Sequence, residues 1–326
     1  MPTLIGWFYF SLKFTLRYEF DTVRGISKSE KNRHHHVPQF LLKNFKTKKG
    51  LIYKRNKTTF KSIRCSIKKQ SGCIDGQFFL TNVKTKKKDQ IIEDFYGCIE
   101  NKACPIVKKL LNNNLSDINN FELNMLAHFI SSLVVRNLVF REFIAMSLSY
   151  VADKFYGGKS KKIDRKFIVD IFIKNAYNLN KEILNEWASF YDDNKNEKLL
   201  NNSMILSNYL LGYIAENIFS YNISIFDISS SNYFFIISDN PVLFSDNNMI
   251  PKILFFPPII FDNDTMVVLP ISPQKCIVLS RVYKNKATYN PEKEIIKRIN
   301  ALSLINSPQY TYSDREESYF IDLFTK

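Results

Sequence analysis

Glycine is scarce in this chain, with 9 among 326 residues. Loops that cradle phosphates need glycine where the backbone must come close to the ligand, and neither GxxxxGK[ST] nor GxGxxG after a strand occurs here. HExxH and GxSxG are missing as well. These absences leave the P-loop ATPase, dinucleotide oxidoreductase, zincin and α/β-hydrolase readings without support. The five cysteines, Cys65, Cys73, Cys98, Cys104 and Cys276, are odd in number and never stand in CxxC spacing. That argues against a zinc ribbon or a disulfide framework and for a reduced, cytoplasmic setting. Long apolar runs are lacking too. The most apolar stretch, Leu4 to Leu16, is interrupted by Lys13 and falls short of the roughly 20 residues that a membrane span needs. Without a basic segment before it or a small-residue cleavage site after it, it fits a signal peptide poorly. An interfacial helix or a weak membrane or partner contact through residues 4–16 is the alternative.

Acidic side chains are in deficit, 31 against 46 Lys and Arg, which leaves a net charge of +15. Such an excess suits RNA or DNA as a partner, because each Lys or Arg that meets a phosphate releases a counterion. A chain rich in Lys, Asn and Ile also follows from an AT-rich genome, which needs no binding surface at all. What the sequence has in plenty is core material: 45% of residues are hydrophobic and 14% aromatic. This is enough to bury a sizeable interior.

Histidine occurs four times, and three of the four stand together in Arg33 to Phe45, RHHHVPQFLLKNF. Imidazole suits proton transfer near neutral pH and metal ligation, so the run marks a candidate site. Pro38 keeps Val37 extended, and in an extended segment His34 and His36 point one way and His35 the other. Phe40, Leu41, Leu42 and Phe45 read as an apolar anchor in a short helical turn, with Lys43 and Asn44 outward. One histidine capping backbone groups beside Pro38 is an equally good structural reading.

Further along, Leu51 to Tyr53 and Thr59 to Ile63 read as a hairpin turning at Asn56-Lys57, 72–76 as a loop and 78–80 as a short strand. Residues 89–111 carry Ile92, Phe95, Ile99, Ile106 and Leu110 at helical spacing, with a kink expected near Pro105. Glu93, Tyr96 and Glu100 line the edge of that face. A second helix starts at Asn119 or Asn120 as its cap and runs through NFELNMLAHFISSLVVRNLVFREFIAM. Within it His128, Ser132 and Arg136 share one stripe. Arg136, set among VVRNLVF, needs a partner, because a buried guanidinium must be paired. Residues 165–187 and 199–217 are helical by pattern. Tyr233 to Phe244, YFFIISDNPVLF, has strand character that stops at Pro241, so Asp239 and Asn240 project from a strand end or form an Asx turn. Met266 to Ser272 and Cys276 to Val282 read as adjacent strands, Pro291 as the opening of a helix at N1, and Tyr310 to Tyr312 as extended.

The runs HHHVPQFLLKNF and FIISDNP, with the later PIS-Pro segment, resemble the family described as domain of unknown function 4238. Its opening motif reads His-His-Tyr-Val-Pro-x-Phe-x-Leu, so His36 stands where the family has Tyr and His35 is the matching imidazole. The resemblance covers about residues 33 to 313 and brings in Glu93, Glu100, Arg136, Asp239 and Asn240. It implies no activity.

The expected fold is α+β: a helical middle from about 89 to 217, packed on a small, mainly antiparallel sheet drawn from both ends of the chain. Residues 1–32 form an extension and 33–326 one domain, with any boundary between two lobes near 155–165. If the polar residues converge, His35, Arg136, Asp239 and Asn240 with Glu93, Glu100 and Asp239 as ligands of Mg or Mn give a metal-assisted phosphodiester hydrolase acting on nucleic acid. If they only brace the fold, the protein is a non-catalytic nucleic-acid-binding or partner-binding protein.

Overall fold

The computed structural model describes residues 33–67, 73–75, 80–81, 88–89, 91–137, 140–141, 144, 197–250 and 263–316. The apolar stretch 4–16, the extension 1–32, the helix expected over 165–187 and the boundary near 155–165 lie outside the described residues.

Strand β1 (Arg33–His35) leads into helix α1 (Gln39–Leu42) and a 3-10 turn at Lys43–Phe45. The hairpin is present as β2 (Ile52–Asn56) and β3 (Ser62–Cys65). The segment expected as a loop instead forms β4 (Cys73–Asp75), antiparallel to β1. Three residues there gain ladder bonds that the local sequence does not advertise. Strands β5 (Leu80–Thr81) and β6 (Lys88–Asp89) pair with each other. Helix α2 spans Ile91–Leu111 and continues through Pro105. Helix α3 (Asn120–Val135) opens on a capping box in which Asn119 accepts from the Glu122 backbone N–H and Glu122 accepts from that of Asn119. It stops with Arg136 as its C-cap, not at its middle as the apolar pattern suggests. Helix α4 (Glu197–Phe219) packs along α3, and α3 along α2.

The C-terminal half supplies β7 (Asn222–Asp227), β8 (Ile237–Ser238), β9 (Leu243–Ser245), β10 (Met266–Pro270), β11 (Lys275–Ser280) and β12 (Ala287–Tyr289), then α5 (Lys293–Asn306) and β13 (Tyr310–Ser313). Glu292 caps α5, so Pro291 lies just before the helix and not at its first position.

Two larger sheets result. One has the order β12-β7-β11-β10-β9, antiparallel except where β12 runs parallel to β7. The other, β3-β2-β13-β8, is antiparallel and joins both ends of the chain. The fold is α+β, and the sheet drawn from both ends is the second of these; the first comes wholly from the C-terminal half.

Every residue of β10 and β11 is buried, as expected of strands covered on both faces. Alternation decides which layer each side chain meets. Val267, Leu269, Ile277, Leu279, Ile223 and Ile225 join the core formed with α2, α3 and α4. Met266, Val268, Cys276, Val278 and Phe226 face the other way, onto Ile296, Ile299 and Leu302 of α5. Each fully buried aliphatic or aromatic side chain contributes about 1.5–3 kcal/mol, so these layers hold the helices that carry the polar residues. Among the described residues no helix is long and apolar enough to cross a membrane.

Candidate functional site

Helix α2 presents Glu93, Tyr96 and Glu100 at three- and four-residue spacing, so they share one edge. Facing them is the end of α3. Arg136 is 1% exposed, and its Nη1 donates to Glu100 Oε1 at 2.6 Å. Its Nε donates to the Ser132 carbonyl at 3.2 Å and its Nη2 to Ser132 Oγ at 3.1 Å. The guanidinium carbon lies 4.8 Å from the centre of the Tyr96 ring, a cation–π distance. Burial pushes the Tyr96 phenol up; Arg136, Arg141 and the neighbouring Asn208 of α4 pull the other way, and Glu93 adds to the rise. The site is therefore a polar knot of two Arg, two Glu, a Tyr and an Asn where three helices meet. Its Arg and Glu charges balance, and Glu100 still reaches solvent. His128, eight residues back on the same stripe, is half-buried and has Nδ1 2.8 Å from the Asn124 carbonyl.

Asp239 stands elsewhere. Its Oδ1 accepts from Ser307 Oγ at 2.7 Å, and its Oδ2 from the backbone N–H groups of Gln309 and Tyr310 at 3.0 and 2.8 Å. Its own N–H donates to the Tyr310 carbonyl. Burial raises this carboxyl, against the opposing pull of Ser307, Tyr310 and Gln309. Asn240 Nδ2 reaches the Asn306 carbonyl at 3.4 Å, while Asn306 Nδ2 donates to the carbonyls of Asn240 and Val242. The Ser-Asp-Asn-Pro run thus clamps the connection between α5 and β13.

A family model described as "Protein of unknown function (DUF4238)" matches residues 33–317. The chain belongs to this family. No curated protein and no solved structure matches it.

For this DUF4238 member the structure brings together Arg136 and Glu100, with Glu93 beside Tyr96. It does not bring Asp239 and Asn240 to them: among the described residues Asp239 is held by Ser307, Gln309 and Tyr310, and Asn240 by Asn306. Among the described residues, no three His, Cys, Asp or Glu side chains gather as a metal ion would require. His35 sits in β1 opposite Cys73, and its side chain lies outside the described residues. His36, at the position where the family carries Tyr, is buried. The apolar anchor behaves as expected: Leu41, Leu42 and Phe45 are fully buried, and Phe40 packs on Phe129 of α3 with ring centres 5.4 Å apart. Asn44 departs from its outward reading, because its Nδ2 donates to the Ile271 carbonyl at 3.0 Å and ties the anchor to β10.

Two buried polar residues of this DUF4238 member escape a reading of the sequence alone. Lys275 is 5% exposed; its Nζ lies 3.3 Å from Asp227 and donates to the Leu111 carbonyl at 2.8 Å and to Asn113 Oδ1. Asn300 accepts from the Ile236 N–H and donates to the Phe234 carbonyl. Lys275 heads an otherwise apolar strand, and that contrast is the one local signal either residue gives.

A basic groove lies on the β3-β2-β13-β8 sheet. A cavity of about 290 Å³ is lined by Lys48, Lys49, Tyr53, Arg64, Asp314 and Arg315, with Thr47, Leu51 and Glu316. Asp314 binds Arg315 through both oxygens, which leaves Lys48, Lys49 and Arg64 facing the single further carboxylate of Glu316, a net positive wall.

Proposed function

We propose that this protein binds nucleic acid without cleaving it, and that its buried Arg, Glu, Tyr and Asp groups serve as a scaffold. The groove beside Tyr53 carries the reading. It combines three cations with an aromatic wall in a space of about 290 Å³, a combination suited to a phosphate backbone and a base. The net charge of +15 supports the same partner class through long-range attraction. A cytoplasmic setting goes with cysteines that stand outside any disulfide at Cys65, Cys98, Cys104 and Cys276.

Metal-assisted phosphodiester hydrolysis with Mg or Mn, using His35, Glu93, Glu100 and Asp239, is the rival. It draws less support because Asp239 already accepts three hydrogen bonds from the turn between α5 and β13 and Glu100 is held by Arg136. The deciding experiment measures binding of labelled single-stranded RNA and DNA at several salt concentrations, and their integrity with Mg²⁺, Mn²⁺ or EDTA. Expected is salt-sensitive binding, weakened in Lys49→Glu and Arg64→Glu with a shallower salt dependence, and intact strands throughout. Metal-dependent cleavage lost in His35→Ala and Asp239→Asn would establish the hydrolase instead.

A further inference from the structure

The tip of the β2–β3 hairpin is built for glycine and carries phenylalanine. Asn56 Oδ1 accepts from the N–H groups of Thr58 and Thr59, and the Phe60 N–H donates to the Asn56 carbonyl. This winds one helical turn that must leave through a left-handed residue, the usual place of Gly. Phe60 takes that place with φ of 56° and is 57% exposed. A bulky side chain in this region is strained, and its burial does not repay the strain. The ring covers Arg55, whose guanidinium carbon lies 5.5 Å from its centre. With Arg55 buried, the cation–π contact is of the same order as the backbone cost, so it offsets the strain and leaves little net gain. The tip is also pinned. The Lys57 N–H donates to the Gln309 carbonyl, and Lys57 Nζ to the carbonyls of Ile305 and Ser307. Strain held on a fixed, exposed tip points to a function.

The position of the ring says which. Tyr53 and Arg55 share one face of β2, and across the ladder they meet Arg64 and Ser62. Phe60 lies over Arg55, so its ring continues the face that begins at the groove of Lys48, Lys49, Tyr53 and Arg64. From Arg64 to Phe60 this track runs roughly 13 Å at about 3.3 Å per residue, far enough for a strand of a few nucleotides. We infer that Phe60 stacks on an unpaired base and that the ligand of this face is single-stranded nucleic acid, its phosphates in the basic groove and its base on the hairpin tip. The inference rests on the nucleic-acid reading above and specifies it: a duplex keeps its bases stacked inside and has none to offer Phe60.

The test uses the full-length protein and three probes of equal length: an oligopyrimidine, the same strand made abasic, and a duplex. Phe60→Gly is the variant of choice, because glycine suits the backbone there and the thermal midpoint should stay level or rise. Expected is a fall of roughly tenfold in the ratio of oligopyrimidine to abasic affinity, the value of about one stacked base. Phe60→Trp should restore the ratio and report it by quenching of its fluorescence on binding. An unchanged ratio in Phe60→Gly, with salt-sensitive binding intact, overturns the stacking inference while the nucleic-acid reading stands. No binding of any probe by the unmodified protein overturns both. Preference for phosphatidylglycerol vesicles over every oligonucleotide, lost in Phe60→Gly, would overturn both in favour of a membrane surface.

Discussion

Arg136 meets a carboxylate carried by a different helix, whereas Asp239 meets two backbone N–H groups and a hydroxyl from one short turn. Both are buried charges, and each lies in a stretch that the family resemblance singles out. The first works at long range and staples α3 to α2 through a pair whose other end, Glu100, is also charged. The second reaches some 70 residues along the chain to a single turn and sets how β13 leaves α5 to pair with β8 and β2. Burial alone therefore does not mark a catalytic group. What a charge is paired with tells whether its surroundings were built to hold it or to present it.

Breaking the staple should cost most. Arg136→Ala leaves Glu100 without its partner and should lower stability by about 3–5 kcal/mol in chemical denaturation, while Arg136→Met with Glu100→Leu should recover most of the loss. A cost below about 1 kcal/mol for Arg136→Ala would end the staple account.

Asp239→Asn should cost about 1.5–3 kcal/mol, because an amide has one acceptor oxygen to offer where the carboxylate uses two. Its pH dependence sharpens the comparison. Burial raises the folded-state pKa of Asp239 above the unfolded value of 3.8. The stability tied to that proton is fully present below the unfolded value and is lost as pH rises through the folded one. The advantage of the unmodified protein over Asp239→Asn should therefore widen as pH falls from 7 toward 4, measured by thermal melts. A gap that narrows would contradict the raised pKa.

Asn119→Ala removes a capping box that touches neither charge and should cost about 1 kcal/mol. Lys49→Glu, on the groove wall, should change stability by no more than about 0.5 kcal/mol, which separates a binding surface from both buried charges.

What the sequence discloses follows from range. The Asn119 cap is legible because its partner is three residues away, and the β2–β3 hairpin because its strands are neighbours. Arg136 is legible as a buried charge in an apolar run, and Glu100 as one of two carboxylates at helical spacing. Which of the two it binds is a matter of how α2 and α3 cross. Asp239 announces an Asx-type turn, yet the donors it accepts from lie about 70 residues on, so the clamp is invisible locally. Lys275 and Asn300 are hidden in the sequence for the same reason. Their partners come from other layers, and nothing in KCIVLS or KEIIKRINALSLIN specifies them. Phe60 escapes for a different reason: the sequence places the turn at Asn56-Lys57, and the left-handed residue is displaced to the far end of a longer tip.

The central place of β13 also bears on how the molecule is made. Tyr310 pairs with Asn56, so β2 emerges from the ribosome long before the strand that covers its second edge. At roughly 5–20 residues per second, translation leaves that edge open for on the order of ten seconds or more. During this interval β2 and β3 are a two-stranded ribbon with an unsatisfied row of backbone groups, open to pairing with any neighbouring nascent chain. A truncated message ending before residue 310 would make that exposure permanent, which ties the survival of the N-terminal hairpin to completion of the last strand.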